Sequence, residues 1–427
     1  MTAEIAILNK SAVALAADSA VTIGRPPSAK VYNTVNKIFE ISPHVGLMVY
    51  GRLDFMGLPF ETIIKEYRKS FAGRTLSTIK EHGEAFRHYL VKSVPLTDKD
   101  RLQNIDITIN SHFAEAYQKY DRQVRDDIAT RGTFQRSKLS GIFQTLIRAE
   151  IHKTQSVSFS VGFARKALPQ NYSGLIDQLA ENHFSGVTLS EASRTLIRQW
   201  SGYLLSKEGL SAYRSGIVVA GFGSSGWCPS LVSFETDGIV DNRLKYVEKP
   251  DVDIGRHGPE AEILGFAQDD MMKSFVEGID PTIRKYLFTS VKQGIMDTAK
   301  AVLSAVFSDS AKEDAAFKAM ESTLETMQEE AVAEGSRYVK RIAENPIRDM
   351  ISAMPKQELV RLAESLIDIT SLKRKVTRGQ ETVGGDVDVA IISKSEGFVW
   401  TKRKHYFLPE LNPRFFNRQH GTGGANA

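Results

Sequence analysis

Thr2, Asp18 and Lys37, near the start of the chain, are residue types that together support nucleophilic catalysis. With the initiator methionine removed, Thr2 would carry a hydroxyl and a free α-amine on one carbon skeleton. That pairs a nucleophile with its base in a single residue. An α-amine has an unperturbed pKa of about 7.7–8.0, so a substantial share is neutral near pH 7–8 and no histidine is needed. In the run Ser11–Asp18 (SAVALAAD), residues 12, 14, 16 and 18 share one face of a strand, three alanines leading to a carboxylate. In a strand from Val35, the shared face is Val35, Lys37, Phe39 and Ile41. A lysine on such an apolar face is costly unless paired, and Asp18 is a natural partner. The competing reading is a solvated lysine on an edge strand.

Other constellations carry less. Gly221-Phe-Gly223-Ser-Ser-Gly226 matches the dinucleotide-binding spacing and follows a strand, but Trp227-Cys228-Pro229 intervenes where a helix must open. A glycine-rich turn is expected instead. His82 and His88 lie about 240° apart around a helix, which disfavours zinc. The basic residues of 118–148 alternate with Asp121, Asp126 and Asp127, as on a solvated face. Lys402-Arg403-Lys404 and the aromatics Tyr406, Phe407, Phe415 and Phe416 are expected to pack at a strand end, with docking on a neighbouring subunit as the alternative.

The elements that must position these residues follow from periodicity. Glu4–Leu8 and Ala12–Ala17 read as strands around an Asn9-Lys10-Ser11 turn, followed by Val35–Ile41 and Val45–Val49. From about Phe60 the period becomes helical, with helices over Thr62–Phe71, Leu76–Lys92, Ile105–Ala129, Phe134–His152 and Ser190–Lys207. Strands return at Gly216–Gly221, Leu231–Phe234 and Leu244–Val247. A helix is expected from Pro259 to about Val276, a long helical stretch over Pro281–Asn345, a helix over Lys356–Arg374, and closing strands at Asp386–Ser393 and Gly397–Thr401. The pattern leads us to expect one domain over 1–410 with helical insertions at about 60–215 and 280–354, and a tail, 411–427, disordered at its end. A separate helical subdomain is the competing reading.

Composition excludes several classes. The 427 residues are 42% hydrophobic and 25% charged, with a net charge of +4. So balanced a charge implies neither nucleic acid nor an anionic membrane as partner. The lone Cys228 rules out an internal disulfide framework and fits a reducing compartment. No apolar run of about 18 residues is present, and the start lacks a signal-peptide pattern. A cytoplasmic location is expected.

The run AVALAADSAVT, the KIFEI of Lys37–Ile41, the GLMVYG of Gly46–Gly51, the later VVAGFGSSGWCPSLVSFETDG and the closing VGGDVDVAIISKSEGFV together resemble proteasome β-subunits and bacterial proteasome-like peptidases, members of the N-terminal-nucleophile hydrolases. The resemblance covers about the first 60 residues, roughly 215–277 and roughly 356–402. It implies an α+β fold, a four-layer αββα sandwich. It further implies Thr2 as nucleophile, Asp18 as the carboxylate orienting a lysine, Lys37 as that lysine, and Gly51 as the backbone donor to the oxyanion. The specificity pocket falls on Val21, Val35 and Val49, so an apolar side chain beside the scissile bond is expected. No metal or organic cofactor is called for. The implied function is a threonine-type endopeptidase acting on peptides or unfolded proteins, assembled from identical subunits, with an ATPase unfoldase as a further partner. A non-catalytic scaffold subunit and a small-molecule amidase on the same fold are the alternatives. Two departures stand out: Gly255-Arg256-His257-Gly258 replaces a serine-bearing loop, and Gln380 and Val383 replace an Asp and a Ser, with Glu381 a possible substitute.

Overall fold

The computed structural model describes residues 2–23, 30–71, 76–131, 138–163, 172–255, 258–307, 310–377, 383–405 and 407–413. In chain order the first strands are β1 (Ala3–Asn9), β2 (Ala12–Ala17), β3 (Val21–Ile23), β4 (Lys30–Tyr32), β5 (Ile38–Ser42), β6 (Val45–Gly51), β7 (Asp54–Phe55) and β8 (Leu58–Pro59). Helices α1 (Phe60–Phe71), α2 (Ile79–Lys92), α3 (Asp98–Arg131), α4 (Leu139–Gln155), α5 (Ser173–His183) and α6 (Glu191–Ser206) follow. Next come β9 (Ser215–Gly221), β10 (Ser230–Val240), β11 (Arg243–Glu248), β12 (Val252–Asp253) and β13 (Ala261–Ala267). The chain continues through α7 (Asp270–Glu277), α8 (Pro281–Val306), α9 (Ser310–Val339), α10 (Asn345–Ser352) and α11 (Lys356–Val376) to β14 (Asp388–Ser393) and β15 (Gly397–Lys402). Contacts divide the chain into two compact units: Met1–Val35 with Ile254–Ile391 and Val399–Ala427, and Asn36–Asp253 with Ile392–Phe398.

The first unit is built on a sheet ordered β13-β1-β2-β14-β15. The β1–β2 turn closes because Asn9 Oδ1 accepts the N–H groups of Ser11 (2.9 Å) and Ala12 (3.2 Å), the side chain standing in for a backbone turn. Alternation then sets the faces. Ala3, Ile5 and Ile7 of β1 and Ala12, Ala14 and Ala16 of β2 pack with Met272 of α7, Ile351 of α10 and Leu359, Ala363 and Leu366 of α11. The alanines of β2 are small because α11 crosses this strand closely. Ala6, Leu8, Val13 and Leu15, on the opposite face, are buried as well.

The second unit holds a sheet ordered β11-β10-β9-β6-β5, with β12 paired to β10. Phe39, Leu47, Val49, Ile217, Val219 and Phe234 form one face beneath α1 and α2, which contribute Phe60, Ile64, Tyr67, Phe86 and Leu90. Helices α3 to α6 share a core of their own around Phe113, Phe143, Phe184 and Trp200, with Val240 of β10 joining it. Each fully buried aliphatic or aromatic side chain contributes about 1.5–3 kcal/mol. Among the described residues no helix is long and apolar enough to cross a membrane.

The observed elements correct several of the expected ones. The helix expected from Pro259 to Val276 is strand β13 followed by the short α7. Helix α5 lies in a stretch with no expected element. Strand β5 begins at Ile38 rather than Val35, and β10 runs on to Val240.

Candidate active site

Thr2 immediately precedes β1 and is 2% exposed. Its carbonyl accepts the Gln268 N–H at 3.0 Å, just past β13, which fixes the backbone at the head of the sheet. Its hydroxyl donates to Glu4 Oε2 at 3.1 Å. Residues two apart on a strand point the same way, so Glu4 is brought beside Thr2 by the strand alone. Glu4 is wholly buried, and a buried carboxylate persists only where donors meet its charge.

Asp18 lies one residue beyond the end of β2. Its Oδ1 accepts the Ala3 N–H at 3.0 Å, and its Oδ2 accepts those of Ala20 and Gly384, each at 3.1 Å. An ionised carboxylate is purely an acceptor, and hydrogen bonds to such a charged group are worth about 1.5–3 kcal/mol each. The Asp18 N–H in turn donates to the Ala3 carbonyl at 3.2 Å. Ser19 extends the clamp, its N–H meeting the Gly384 carbonyl at 3.2 Å and its hydroxyl the Asp386 carbonyl. Asp18 thus ties the start of β1 to the loop before β14. The face expected to carry Ala12, Ala14, Ala16 and Asp18 divides at the strand end, where the alanines turn to the helices and Asp18 turns to main-chain amides.

Lys37, Val49 and Gly51 belong to the second unit. Lys37 directly precedes β5, is wholly buried, and its carbonyl accepts the Val49 N–H at 2.9 Å. Gly51 ends β6 with a φ of +74°, and a Cβ there would stand 2.6 Å from the Arg214 carbonyl oxygen. Only glycine fits, on backbone grounds alone. Val49 is buried in the core under α1 and α2, whereas Val21, at the start of β3, and Val35 are half-buried. Val383 is buried in the first unit's core, while Arg256, His257, Gln380 and Glu381 lie outside the described residues.

Two polar clusters escaped the sequence reading. Glu4 was signalled only by its spacing from Thr2. The other is the wholly buried pair Lys245–Asp237, 2.8 Å apart. Lys245 Nζ also donates to the carbonyls of Leu204 (2.6 Å) and Gly209 (2.8 Å), so all three of its protons are used. Burial opposes ionisation of Asp237, but the Lys245 ammonium and the Ser211 hydroxyl and N–H overcome it and hold the carboxyl below its usual range. With every donor spent, this pair anchors β10 and β11 to the end of α6 and offers nothing to a substrate.

The glycine-rich Gly221–Gly226 segment opens no helix; β10 follows it. A Cβ on Gly223 would lie 2.1 Å from the Ser77 carbonyl oxygen, so the glycine answers a close approach to the turn before α2. Among the described residues no group of three His, Cys, Asp or Glu side chains is placed to hold a metal ion. Cys228 is a partly exposed free thiol. No protein-family model matches the chain, and no curated protein matches it.

Proposed function

We propose that this chain is a threonine-type hydrolase of peptide bonds with Thr2, freed by removal of Met1, as its nucleophile. The observation that carries the reading is the setting of Thr2: buried at the head of β1, its hydroxyl on the Glu4 carboxylate and the next residue's N–H on Asp18. In this reading Thr2 Oγ attacks the carbonyl carbon and its proton passes to the Thr2 amine. The amine then protonates the leaving nitrogen, and water hydrolyses the acyl ester, returning the hydroxyl. A positive Lys37 favours the developing negative charge, and the Gly51 N–H is the oxyanion donor. Removing such a donor typically lowers the rate about 10²–10³-fold. Each unit supplies a sheet with helices on one face, which is consistent with the four-layer sandwich that the resemblance implies. Peptides or unfolded proteins are the substrates, further copies of the chain and an ATPase unfoldase the partners, and the cytoplasm the setting. The preference for an apolar side chain next to the scissile bond rests on Val21 and Val35, since Val49 is committed to the core.

The test is the intact mass of purified protein with and without a peptide electrophile that traps N-terminal threonines. Wild type is expected to lack Met1 and gain one adduct, while Thr2→Ala, Asp18→Asn and Lys37→Met gain none. Retention of Met1 with no adduct overturns the proposal. Loss of Met1 with no adduct is the outcome for a non-catalytic scaffold subunit. A fluorogenic panel cleaved best after Arg or Asp rules out the apolar pocket, and turnover confined to small amides assigns the amidase alternative.

A further inference from the structure

Ala267, at the end of β13, has a φ of +61°. A residue with a Cβ adopts this left-handed backbone only at a cost. Among the described residues other than glycine, Met56, Asp241 and Asn242 share it. Each of those sits in a tight hairpin turn, inside the Phe55↔Leu58 pair of β7–β8 or the Val240↔Arg243 pair of β10–β11, where the left-handed conformation is the usual one. Ala267 has no such reason. It closes the β1–β13 ladder opposite Ala3, and the chain beyond it runs into α7 rather than back along the sheet. Backbone strain held where no hairpin requires it points to a function.

The left-handed step leaves the Gln268 N–H on the Thr2 carbonyl, 3.0 Å away. On the other side of β1, Asp18 Oδ1 accepts the Ala3 N–H at 3.0 Å. These are the two polar groups of one peptide unit, gripped from just beyond the ends of the two strands that flank β1, so its plane is fixed. The Thr2 hydroxyl on Glu4 Oε2 anchors the side chain. With the carbonyl carbon and Cβ both held, the tetrahedral Cα leaves the nitrogen one direction in which to point. That matters once Met1 is removed, because the amine then has no preceding residue to hold it, and chain ends fray unless tied down. We propose that Ala267 is a positioning residue for the reaction at Thr2, a role that rests on the reading of Thr2 as the nucleophile. Its left-handed backbone keeps the Gln268 N–H on the Thr2 carbonyl and so aims the amine and the hydroxyl together at an incoming carbonyl carbon.

A series at this one position in the full chain separates backbone from side chain. Ala267 is exposed, so a larger residue there meets solvent rather than a packed core. Glycine and asparagine tolerate the left-handed region, whereas valine resists it. Turnover of a fluorogenic peptide is measured for wild type, Ala267→Gly, Ala267→Asn and Ala267→Val, each rate divided by the fraction of Thr2 that the peptide electrophile titrates. Ala267→Gly and Ala267→Asn are expected to keep the wild-type kcat within about twofold. Ala267→Val is expected to lose roughly ten- to a hundredfold in kcat per titrated site with KM within about twofold, the pattern of lost alignment rather than lost binding. Ala267→Val at the wild-type rate overturns the proposal. So does Ala267→Asn falling as far as Ala267→Val, or a valine variant that loses titratable sites while each remaining site turns over normally, since its effect is then on folding alone. A wild type that neither turns over peptide nor takes the electrophile overturns the reading of Thr2 together with this role, whereas a reactive wild type matched by Ala267→Val overturns this role alone.

Discussion

Two carboxylates flank Thr2, and they are held in different ways. Asp18 has main-chain N–H donors on both oxygens, whereas Glu4 receives the threonine hydroxyl itself. If Glu4 shares in taking the hydroxyl proton, Glu4→Gln keeps the shape and loses the acceptor charge. The expected result is a fall in kcat of about 10²–10⁴-fold with little change in KM and loss of the acid limb of the pH–rate profile. An unchanged profile would leave Glu4 a positioning role only. Substitution at Gly51 discriminates poorly, because any side chain there strikes the Arg214 carbonyl whether or not the glycine serves an oxyanion. The Lys245–Asp237 pair is a stability determinant of the second unit: Asp237→Asn strands a wholly buried Lys245 and is expected to cost about 3–5 kcal/mol in urea unfolding. A loss under 1 kcal/mol would show that water reaches the ammonium.

At the scale of elements, alternation and turn chemistry read directly from the sequence. The β1–β2 hairpin is legible because Asn9 closes it locally and both strands are short apolar runs on either side of that turn. The closing hairpin β14–β15 is legible for the same reason. Strand β13 was not, since Ala261-Glu-Ile-Leu-Gly-Phe-Ala is rich in helix formers and follows a proline that suits a first helical turn. Its pairing with β1, from Ala3↔Ala267 to Asn9↔Ala261, overrides that preference, and no local signal announces a partner some 250 residues away. The expected end of β10 at Phe234 reflects the polar run Glu235-Thr236-Asp237-Gly238, which is buried because Lys245 and Ser211 satisfy Asp237. Thr2, Asp18 and Lys37 were visible as residue types, and their burial was not. Helix α2 began three residues later than periodicity placed it, because Thr78 caps it: its hydroxyl accepts the Glu81 N–H at 3.2 Å, and Glu81 accepts that of Ser77 at 2.9 Å. Thr78→Ala is therefore expected to cost about 1 kcal/mol, read as a lower melting temperature with activity kept. No shift in melting would mean that Glu81 and water replace the cap.

At the scale of the molecule, acid is expected to act on the two units unequally. His82, against the Phe71 ring, is pushed down to about 4 by burial, partly offset by Glu81. His112 is pushed down to about 4 by burial and then by the Lys245 ammonium. Both lie in the second unit. Unfolded, each titrates near 6.5, so the unfolded chain takes up protons that the folded one refuses. Their contribution is complete above about pH 6.5 and is lost as pH falls toward 4, at most about 1.4 kcal/mol per pH unit for each histidine. Asp237, depressed instead, holds its contribution down to about pH 4 and loses it only below. In the first unit the described carboxyl with a resolved downward shift is Asp280, which also acts only below about pH 4. Hydrogen exchange at pH 7 and pH 5, corrected for intrinsic rates, is therefore expected to show protection falling in α2, α3 and β9 while β1 and β2 hold. His82→Phe/His112→Phe is expected to flatten that response if the rings are accommodated. Equal loss in both units, or the same loss in a folded double variant, would mean that the acid response originates elsewhere.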